Sequence, residues 1–465
     1  MKINLSPGAR GAGPRGRSQS WRTRAGAAVL GVALTASLGV QSGVARASTL
    51  PNATASGSCK PGATVLTMWG WAGGYNTVVD AFNKSHPDIC VQFEDNGANN
   101  TEYTKLQSAV KAGVGVPDVA EIEYIVVPSF EITHSFLNLV PYGVNAYKKR
   151  FVPFAWQEVS AGPAVYAMPA DIGTMGALYN KTVLAKYNIS LPTTWSQFAS
   201  DATTFHKDDP GAYLSNFDPA DGEDLLALMQ EWGAFPFQYT PDSTKVGIDF
   251  TGPAEMAFAK FWQGLVSSGA VSHTADMDTQ AFSAMDESQD AYWPAPAWAV
   301  QGLGPLMKKT FGDWSAAALP QVSAGDHFGG TWGGSTIAVL ASTKHPQQAA
   351  EFAEWFGGSA ASWAVLANPT VNTAVPGYLP VLDSKAFLNR AVPNDGTQKS
   401  LAVYAGLDAD VAAPQWPPFM TEVLTEISTA FAGVVNGTET VPAAFTVTQK
   451  ALVNYAQSQG FTVAQ

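Results

Sequence analysis

The sequence predicts an α/β protein whose sheets are mostly parallel and are flanked by helices. Short apolar runs that read as buried strands alternate with amphipathic stretches of helical period over residues 64–124. The same alternation returns after residue 329, where an apolar run again precedes a helical pattern. Strands and helices in this order indicate sheets covered on both faces.

The first 47 residues are expected to be a secretory signal and not part of the fold. Residues 1–24 carry six basic residues and no acidic one, and an apolar stretch follows over residues 25–40. Ala45-Arg46-Ala47 then matches a small-residue cleavage site. We therefore expect cleavage near Ala47, a linker of small and polar residues over 48–58, and a mature protein outside the cell.

The mature chain is expected to be strongly acidic. The sequence contains 26 basic and 38 acidic residues, and cleavage after residue 47 removes seven of the basic ones and none of the acidic ones. A surface of this sign repels phosphate backbones, which argues against nucleic acid as a partner. Only two arginines remain, Arg150 and Arg390.

The two cysteines, Cys59 and Cys90, are expected to form a disulfide because the chain is exported to an oxidising compartment. Each is expected just before a strand, so the bridge would tie the starts of two neighbouring strands. The alternative is that Cys59 is a lipid-anchored N-terminus. The preceding "SGS" has no Leu three residues before the cysteine, which argues against that alternative.

The first structural segment contains three predicted strands separated by two predicted helices. They are "TVLTMWGW" at 64–71, "NTVVDAFNKSHPD" at 76–88, "ICVQFED" at 89–95, "TEYTKLQSAVKAGVG" at 101–115 and "PDVAEIEY" at 117–124. Ligands of parallel sheets bind outside the carboxyl ends of the strands. Trp69, Trp71, Glu121 and Glu123 lie at or near those ends.

The rest of the chain alternates between glycine-punctuated extended segments and helices. An extended segment from Gly162 passes into a strand and then a helix capped by Thr194, and more helical stretches follow. "GGTWGGSTIAVL" at 329–340 returns to a strand before another helix. The tail from Trp416 to Phe461 is predicted to be helical with a break near Asn436.

Common catalytic and cofactor motifs are missing. The single G-x-G-x-x-G lies inside the signal, and no phosphate-binding loop, G-x-S-x-G or H-E-x-x-H occurs. The six histidines are scattered without metal-ligand spacing. We therefore expect no catalytic residue, no metal ligand and no cofactor.

Several tryptophans stand beside glycine or proline in predicted loops. An indole face stacks on the C–H face of a sugar ring and leaves the hydroxyls free for hydrogen bonds, and neighbouring glycines let the backbone approach. Burial in the core is an equal alternative for any one of them. The loop tryptophans are Trp69, Trp71, Trp232, Trp293, Trp298, Trp332 and Trp416.

The chain resembles the bacterial extracellular solute-binding proteins of carbohydrate ABC importers, the group that includes maltose-binding protein. The resemblance is spread over residues 60–465. It rests on "LTMWGW", "YTKLQSAVKAGVGVPDVAEIE", "VYAMPADIGTMGALYNKTVLAKYNISLPTTWSQF", "GGTWGGSTIAV" and "HPQQAAEFAEWF". The sequence departs from the family at "ESQDAYWPAP" before Trp298 and in its missing lipid-attachment motif.

The resemblance implies a two-lobed periplasmic-binding-protein fold of type II, with a hinge and a sugar in the cleft. The expected N-terminal lobe is 59–168 with 333–390, and the C-terminal lobe is 169–332 with 391–465. A monomer that delivers sugar to ABC permease subunits is implied as well. The candidate ligand-binding residues, from the family pattern and the loop tryptophans together, are Trp71, Glu121, Glu123, Asp171, Trp232, Trp298, Trp332, Gly333, Gly334 and Trp416.

Two other functions remain open from the sequence. A secreted carbohydrate-active enzyme would need two carboxyl groups facing each other across a cleft. A binding protein for a polyamine or another cation would also use tryptophan faces and carboxylates.

The resemblance also implies different places for the two tryptophans near the end of the first strand. Trp69 is expected to pack near the strand end, and Trp71 is expected to face the cleft.

Overall fold

The computed structural model describes residues 59–241, 243–300, 306–368, 374–392 and 398–464. The expected signal at 1–47 and linker at 48–58 lie outside the described residues. Within these ranges no helix combines the length and the apolar character needed to cross a bilayer.

Five strands form the sheet that carries most of the site. Their order across the sheet is β2 (Ile89–Glu94), β1 (Thr64–Trp69), β3 (Val119–Glu123), β12 (Ser335–Val339) and β6 (Ala167–Pro169). Strands β2 and β3 are both parallel to β1, as predicted, whereas β12 is antiparallel to β3 and to β6. The strands in chain order are β1 Thr64–Trp69, β2 Ile89–Glu94, β3 Val119–Glu123, β4 Ser160–Ala161, β5 Ala164–Val165, β6 Ala167–Pro169, β7 Met175–Asn180, β8 Phe237–Tyr239, β9 Lys245–Ile248, β10 Tyr292–Pro296, β11 Trp314–Ala317, β12 Ser335–Val339 and β13 Thr462–Ala464.

The second sheet corrects one expectation. Its order is β10, β7 and β11, and β7 runs antiparallel to both neighbours. The sequence predicts a mostly parallel sheet in each lobe, and this is wrong for the described strands of the second sheet. Neighbouring strands are expected to be parallel when a single helix of ordinary length connects them. The long connection from β7 to β10 contains several helices and permits either direction.

Helices cover both sheets at the predicted places. The helix Tyr75–Ser85 buries Val78, Val79 and Phe82, the apolar stripe read from the sequence. Thr194 caps the helix Trp195–Asp208 and forms a capping box with Gln197. The α-helices are Tyr75–Ser85, Asn100–Ala112, Val127–Glu131, Pro153–Glu158, Lys181–Lys186, Trp195–Asp208, Gly222–Gln230, Pro253–Ser268, Thr279–Asp286, Pro346–Gly358, Ala360–Leu366, Leu379–Leu382, Lys385–Leu388, Ser400–Leu407, Met420–Val435 and Val441–Ser458.

Two extended segments cross between the sheets. The first leads from β6 to β7, and the second leads from β11 to β12. They pair with each other, since Thr174 forms a bridge to Thr331 and the Met175 N–H donates to the Gly330 oxygen at 2.8 Å. The structure therefore places Asp171 and Trp332 on the connections between the two sheets.

The expected disulfide is present. Cys59 and Cys90 are joined, and their Cα atoms are 5.7 Å apart. Cys59 precedes β1, and Cys90 is the second residue of β2 rather than a residue before it. The bridge thus ties the starts of two parallel neighbours.

Candidate ligand-binding site

A cavity of about 440 Å³ opens at the carboxyl ends of β1 and β3. The walls are completed by residues from the crossing segments, the segment after β10, the start of the helix Gly222–Gln230, and the segments before the helices Asn100–Ala112 and Thr279–Asp286. It brings together most of the sequence-predicted residues. These are Trp71, Glu121, Glu123, Asp171, Trp298, Trp332, Gly333 and Gly334.

The loop after β1 is held by Glu121. Its Oε2 accepts the Trp71 N–H at 2.7 Å and the Ala72 N–H at 3.0 Å, and its Oε1 accepts the Ser335 hydroxyl at 2.9 Å. A Cβ on Gly70 would lie 2.9 Å from the same Oε2, so a glycine permits this close approach. Both oxygens of Glu121 are therefore engaged by the protein, and the contact orients the loop.

Trp69, at the end of β1, and Trp71, in the loop after it, have different surroundings, as the family resemblance led us to expect. Trp69 is the last residue of β1, and its Nε1 donates to Glu94 Oε2 at 3.0 Å on the neighbouring strand. Trp71 lines the cavity and remains partly exposed. The part-exposed ring of Trp71 is thus available to a ligand.

Tyr103 supports both Trp71 and Glu123 from behind. Its ring packs edge-on against Trp71 with centroids 5.7 Å apart, and its hydroxyl donates to Glu123 Oε2 at 2.6 Å. Tyr103 is buried on the helix Asn100–Ala112. A single buried side chain therefore positions one ring and one carboxylate of the cavity.

The crossing segments form the opposite wall. A Cβ on Gly173 would lie 2.0 Å from the Trp332 oxygen, so only glycine allows the two segments to approach this closely. The Trp332 N–H donates to the Gly173 oxygen at 2.9 Å, and Trp298 Nε1 donates to the Trp332 oxygen at 2.9 Å. Trp332 itself is buried, so Trp298 is the more accessible ring on this side.

Gly333 and Gly334 turn the chain back into β12. Their φ angles are 66° and 96°, in the left-handed region that glycine adopts without strain. The turn brings the Ser335 N–H to Asp171 Oδ1 at 3.0 Å. The Gly-rich stretch read from the sequence therefore shapes the cavity floor and orients Asp171.

Sequence reasoning missed two cavity carboxylates, Asp221 and Glu223. Asp221 caps the helix Gly222–Gln230, and its side chain accepts the N–H groups of Glu223 and Asp224. Glu223 lies in the first turn of that helix and faces the cavity. The sequence "DGED" is a helix-start signal that could have located the start of this helix, but not its approach to the carboxyl ends of β1 and β3.

Six further residues of the cavity wall were also missed. Two of them, Asn99 and Met277, have positive φ angles of 48° and 60° although neither is glycine. No sequence signal identifies such positions, because they depend on how distant loops meet. The six are Ala72, Gly73, Tyr75, Asn99, Met277 and Ser335.

The cavity brings five carboxyl groups together, and burial disfavours their ionisation. Burial raises the pKa of Glu121 to about 8 and that of Asp171 to about 6. Burial also raises the pKa values of Glu123, Asp221 and Glu223, and neighbouring carboxylates raise them further. No lysine, arginine or histidine is among the described lining residues. No group of His, Cys, Asp or Glu in the described part of the chain has the geometry to hold a metal ion.

Trp232 and Trp416 lie outside this cavity, contrary to the sequence-based set. Trp232 packs in an aromatic cluster, with its ring centroid 6.1 Å from that of Trp195 and 4.9 Å from that of Phe261. Trp416 is buried, and its Nε1 donates to Glu158 Oε2 at 2.7 Å. Glu158 thus satisfies the indole N–H of Trp416, whereas Trp232 is held by ring packing alone and its buried Nε1 has no hydrogen-bond partner among the described residues.

Residues 70–362 match the sequence model of a family described as bacterial extracellular solute-binding protein. No curated protein matches the chain. Among solved structures, the chain is similar to the ABC transporter associated binding protein from B. animalis subsp. lactis Bl-04 in complex with beta-1,6-galactobiose. The identity is 27% and the TM-score is 0.75, and the match covers 87% of this chain and 100% of that one.

Two further solved structures share the fold. The galacto-N-biose-/lacto-N-biose I-binding protein of the ABC transporter from Bifidobacterium longum, in complex with lacto-N-biose, is 22% identical with a TM-score of 0.76. That match covers 88% of this chain and 100% of the other. The cyclic alpha-maltosyl-1,6-maltose binding protein from Arthrobacter globiformis is 18% identical with a TM-score of 0.67, over 85% of this chain and 100% of the other.

Proposed function

The chain belongs to the bacterial extracellular solute-binding proteins, and from that premise we propose that it binds a sugar or oligosaccharide and delivers it to an ABC permease. The observation that supports this proposal is one cavity of about 440 Å³. It combines two part-exposed indoles, Trp71 and Trp298, with a set of carboxylates. Indole faces suit sugar rings, and carboxylates accept hydrogen bonds from hydroxyl groups.

The ligand-contacting residues in this proposal are a subset of the cavity wall. Trp71 and Trp298 stack on sugar rings, while Glu123, Asp171 and Glu223 accept hydroxyl hydrogen bonds. Glu121 and Trp332 are left out of this subset. Glu121 already accepts hydrogen bonds from three donors of the protein, and Trp332 is buried behind Trp298. Gly333 and Gly334 offer backbone close to the ligand.

We further propose two lobes, 59–168 with 333–390 and 169–332 with 391–465, that close on the ligand. The paired crossing segments around Gly173 and Trp332 support a hinge at these boundaries. Closure requires a ligand that binds the closed form better than the open form. The same proposal includes a secretory signal, export to the outer face of the cell membrane, a monomeric state and a permease partner.

A calorimetric titration with neutral mono- and oligosaccharides tests the function. We expect saturable binding of one ligand per chain and recovery of the ligand intact. Shorter products in excess of the protein would favour the carbohydrate-active enzyme. The matched control is Trp232→Phe, which changes an indole outside the cavity and should leave the affinity unchanged.

A second candidate function is polyamine binding. Five carboxylates line the cavity without a described basic residue, and this arrangement also suits an ammonium group. The two functions differ in salt dependence, because a neutral sugar has little long-range charge attraction to screen. Saturation by spermidine alone, with affinity that falls as salt rises, would favour this second candidate.

A further inference from the structure

Five residues other than glycine have a positive φ angle in the described part of the chain, and three of them end helices. These three are His134, Asn188 and Ser288. In each case the N–H of the following residue donates to the carbonyl oxygen five positions before it, at 2.7–2.9 Å. This hydrogen bond is a common way to end a helix, and it accounts for the left-handed conformation of the three residues.

The other two residues, Asn99 and Met277, precede helices instead. Asn99 is the N-cap of the helix Asn100–Ala112, and Met277 stands one residue before the N-cap of the helix Thr279–Asp286. The start of a helix does not require a left-handed residue, since an N-cap is ordinarily extended. Both residues line the ligand cavity. Strained backbone of this kind costs stability and is typical of ligand sites.

Met277 is fixed by the aspartates on either side of it. Asp276 Oδ1 accepts a hydrogen bond from the Asn216 side-chain amide at 2.8 Å, and Asp278 caps the helix Thr279–Asp286 by accepting two of its N–H groups. Between these anchors the apolar side chain of Met277 is 42% exposed. A ligand that covers this side chain removes apolar surface from water, which favours binding.

Asn99 has a side-chain amide that its helix does not use. Asparagine is a preferred N-cap because its oxygen accepts an N–H of the first turn. The side chain of Asn99 makes no such bond, and its φ of 48° and ψ of −127° are close to a turn conformation that glycine dominates. The exposed residue lines the cavity, and its amide carries both donors and an acceptor. It can therefore form hydrogen bonds with a sugar hydroxyl in either direction.

We propose that Asn99 and Met277 are ligand-contacting residues that the strained backbone presents to the cavity from the two proposed lobes. The Asn99 amide binds a hydroxyl of the sugar, and Met277 covers an apolar C–H surface of the same ligand. The inference rests on the proposed function and adds two contacts to those of Trp71 and Trp298. Asn99 then contributes to selectivity, because a sugar without the matching hydroxyl leaves its amide unpaired.

Glycine variants test both residues, because glycine relieves the strain and removes the side chain in one step. The probe is the sugar that binds the full mature chain most tightly among glucose, galactose, mannose, maltose, cellobiose and lactose. By calorimetry, we expect Met277→Gly to lose about tenfold in affinity and Asn99→Gly about fivefold. Neither variant should have a lower melting temperature than the native chain, because the relief of strain offsets the entropy that glycine loses on folding.

Three further variants are controls. Met277→Ala keeps the need for a left-handed alanine but lacks the thioether, so its affinity should fall as in Met277→Gly. Asn188→Gly and Ser288→Gly make the same backbone change at helix ends outside the cavity. These last two variants should keep the native affinity.

The outcomes separate this inference from the proposed function. Native affinity in both Met277 variants overturns the contact by Met277, and native affinity in Asn99→Gly overturns the contact by Asn99; sugar binding by the native chain then leaves the proposed function intact. A melting temperature that falls together with the affinity in the glycine variants indicates a structural role and also overturns the inference. Failure of the native chain to bind any sugar of the panel contradicts the proposed function and the inference together.

Discussion

The Tyr103 hydroxyl donates a 2.6 Å hydrogen bond to Oε2 of Glu123, and both residues are buried, Glu123 in the cavity wall and Tyr103 behind it. The same hydroxyl accepts the Glu123 N–H at 3.3 Å. Tyr103 comes from a helix and Glu123 from the end of β3, so the pair fixes a helix against a strand end. Through its ring contact with Trp71, Tyr103 also links the carboxylate to the aromatic wall.

Tyr103→Phe should weaken ligand binding while the ring packing persists. The substitution removes the donor to Glu123, so the carboxylate is less firmly positioned for the ligand. We expect a loss of about 1–2 kcal/mol in binding free energy, measured by calorimetry. Tyr142→Phe, in the turn Val140–Tyr142 outside the cavity, is the control. Equal affinity in both variants would contradict a positioning role for Tyr103.

Trp71→Ala should reduce the affinity for the ligand by about 1–3 kcal/mol, because a stacking face and its buried area are lost. Trp71→Phe should lie between the alanine variant and the native chain. Trp69→Phe is a sharp control, because Trp69 stands two residues away but donates to Glu94 outside the cavity. A saturable change in tryptophan fluorescence on ligand addition should persist in Trp69→Phe and diminish in Trp71→Phe. An unchanged signal in the latter would remove Trp71 from the site.

Local sequence signals located the part of the site that local structure determines. The loop after β1 and the end of β3 were predicted because parallel strands end at the same edge of a sheet, so Trp71 and Glu123 had to be close. Gly333 and Gly334 were expected from the family resemblance, and their positive φ angles in the structure suit glycine. These residues needed no knowledge of long-range packing.

The rest of the site depends on contacts that no local pattern encodes. Asp221 and Glu223 reach the cavity because a helix of the second part of the chain points its first turn at β3. Trp232 and Trp416 have glycine or proline neighbours like those of the cavity tryptophans. In the structure, however, Trp232 packs against Trp195, and Trp416 donates a hydrogen bond to Glu158. Composition around a tryptophan therefore does not separate a ligand platform from a packed ring.

The stability of the ligand-free protein should fall as the pH rises from about 5 to about 8. Burial raises the pKa values of Glu121, Glu158 and Glu231 to about 8 each, above the usual value of 4.5. The folded state thus binds more protons than the unfolded state in this range, so these groups favour folding at low pH and lose that contribution as the pH passes their folded pKa values. The melting temperature by calorimetry should be lower at pH 8 than at pH 5.5.

Glu158→Gln tests one contribution to this pH dependence. Glutamine can still accept the Trp416 indole hydrogen bond but cannot ionise, so the variant should lose less stability between pH 5.5 and pH 8 than the native chain. The difference should reach about 1.4 kcal/mol for each unit by which the native pKa is raised. Glu351→Gln serves as the exposed control. Parallel stability curves for Glu158→Gln and the native chain would contradict a raised pKa at Glu158.

Replacing both Cys59 and Cys90 with serine should lower stability without changing ligand affinity. The bridge closes a loop with a sequence separation of 31, for which loop entropy gives about 3–4 kcal/mol in the free energy of unfolding. It ties the starts of β1 and β2, whereas the cavity lies at the carboxyl ends of β1 and β3, about 20 Å farther along a six-residue strand. Urea unfolding and calorimetric titration measure the two effects separately. A loss of binding in the folded double variant would contradict this separation, and a diacylglyceryl mass on Cys59 of the secreted chain would replace the disulfide with the lipid-anchor alternative.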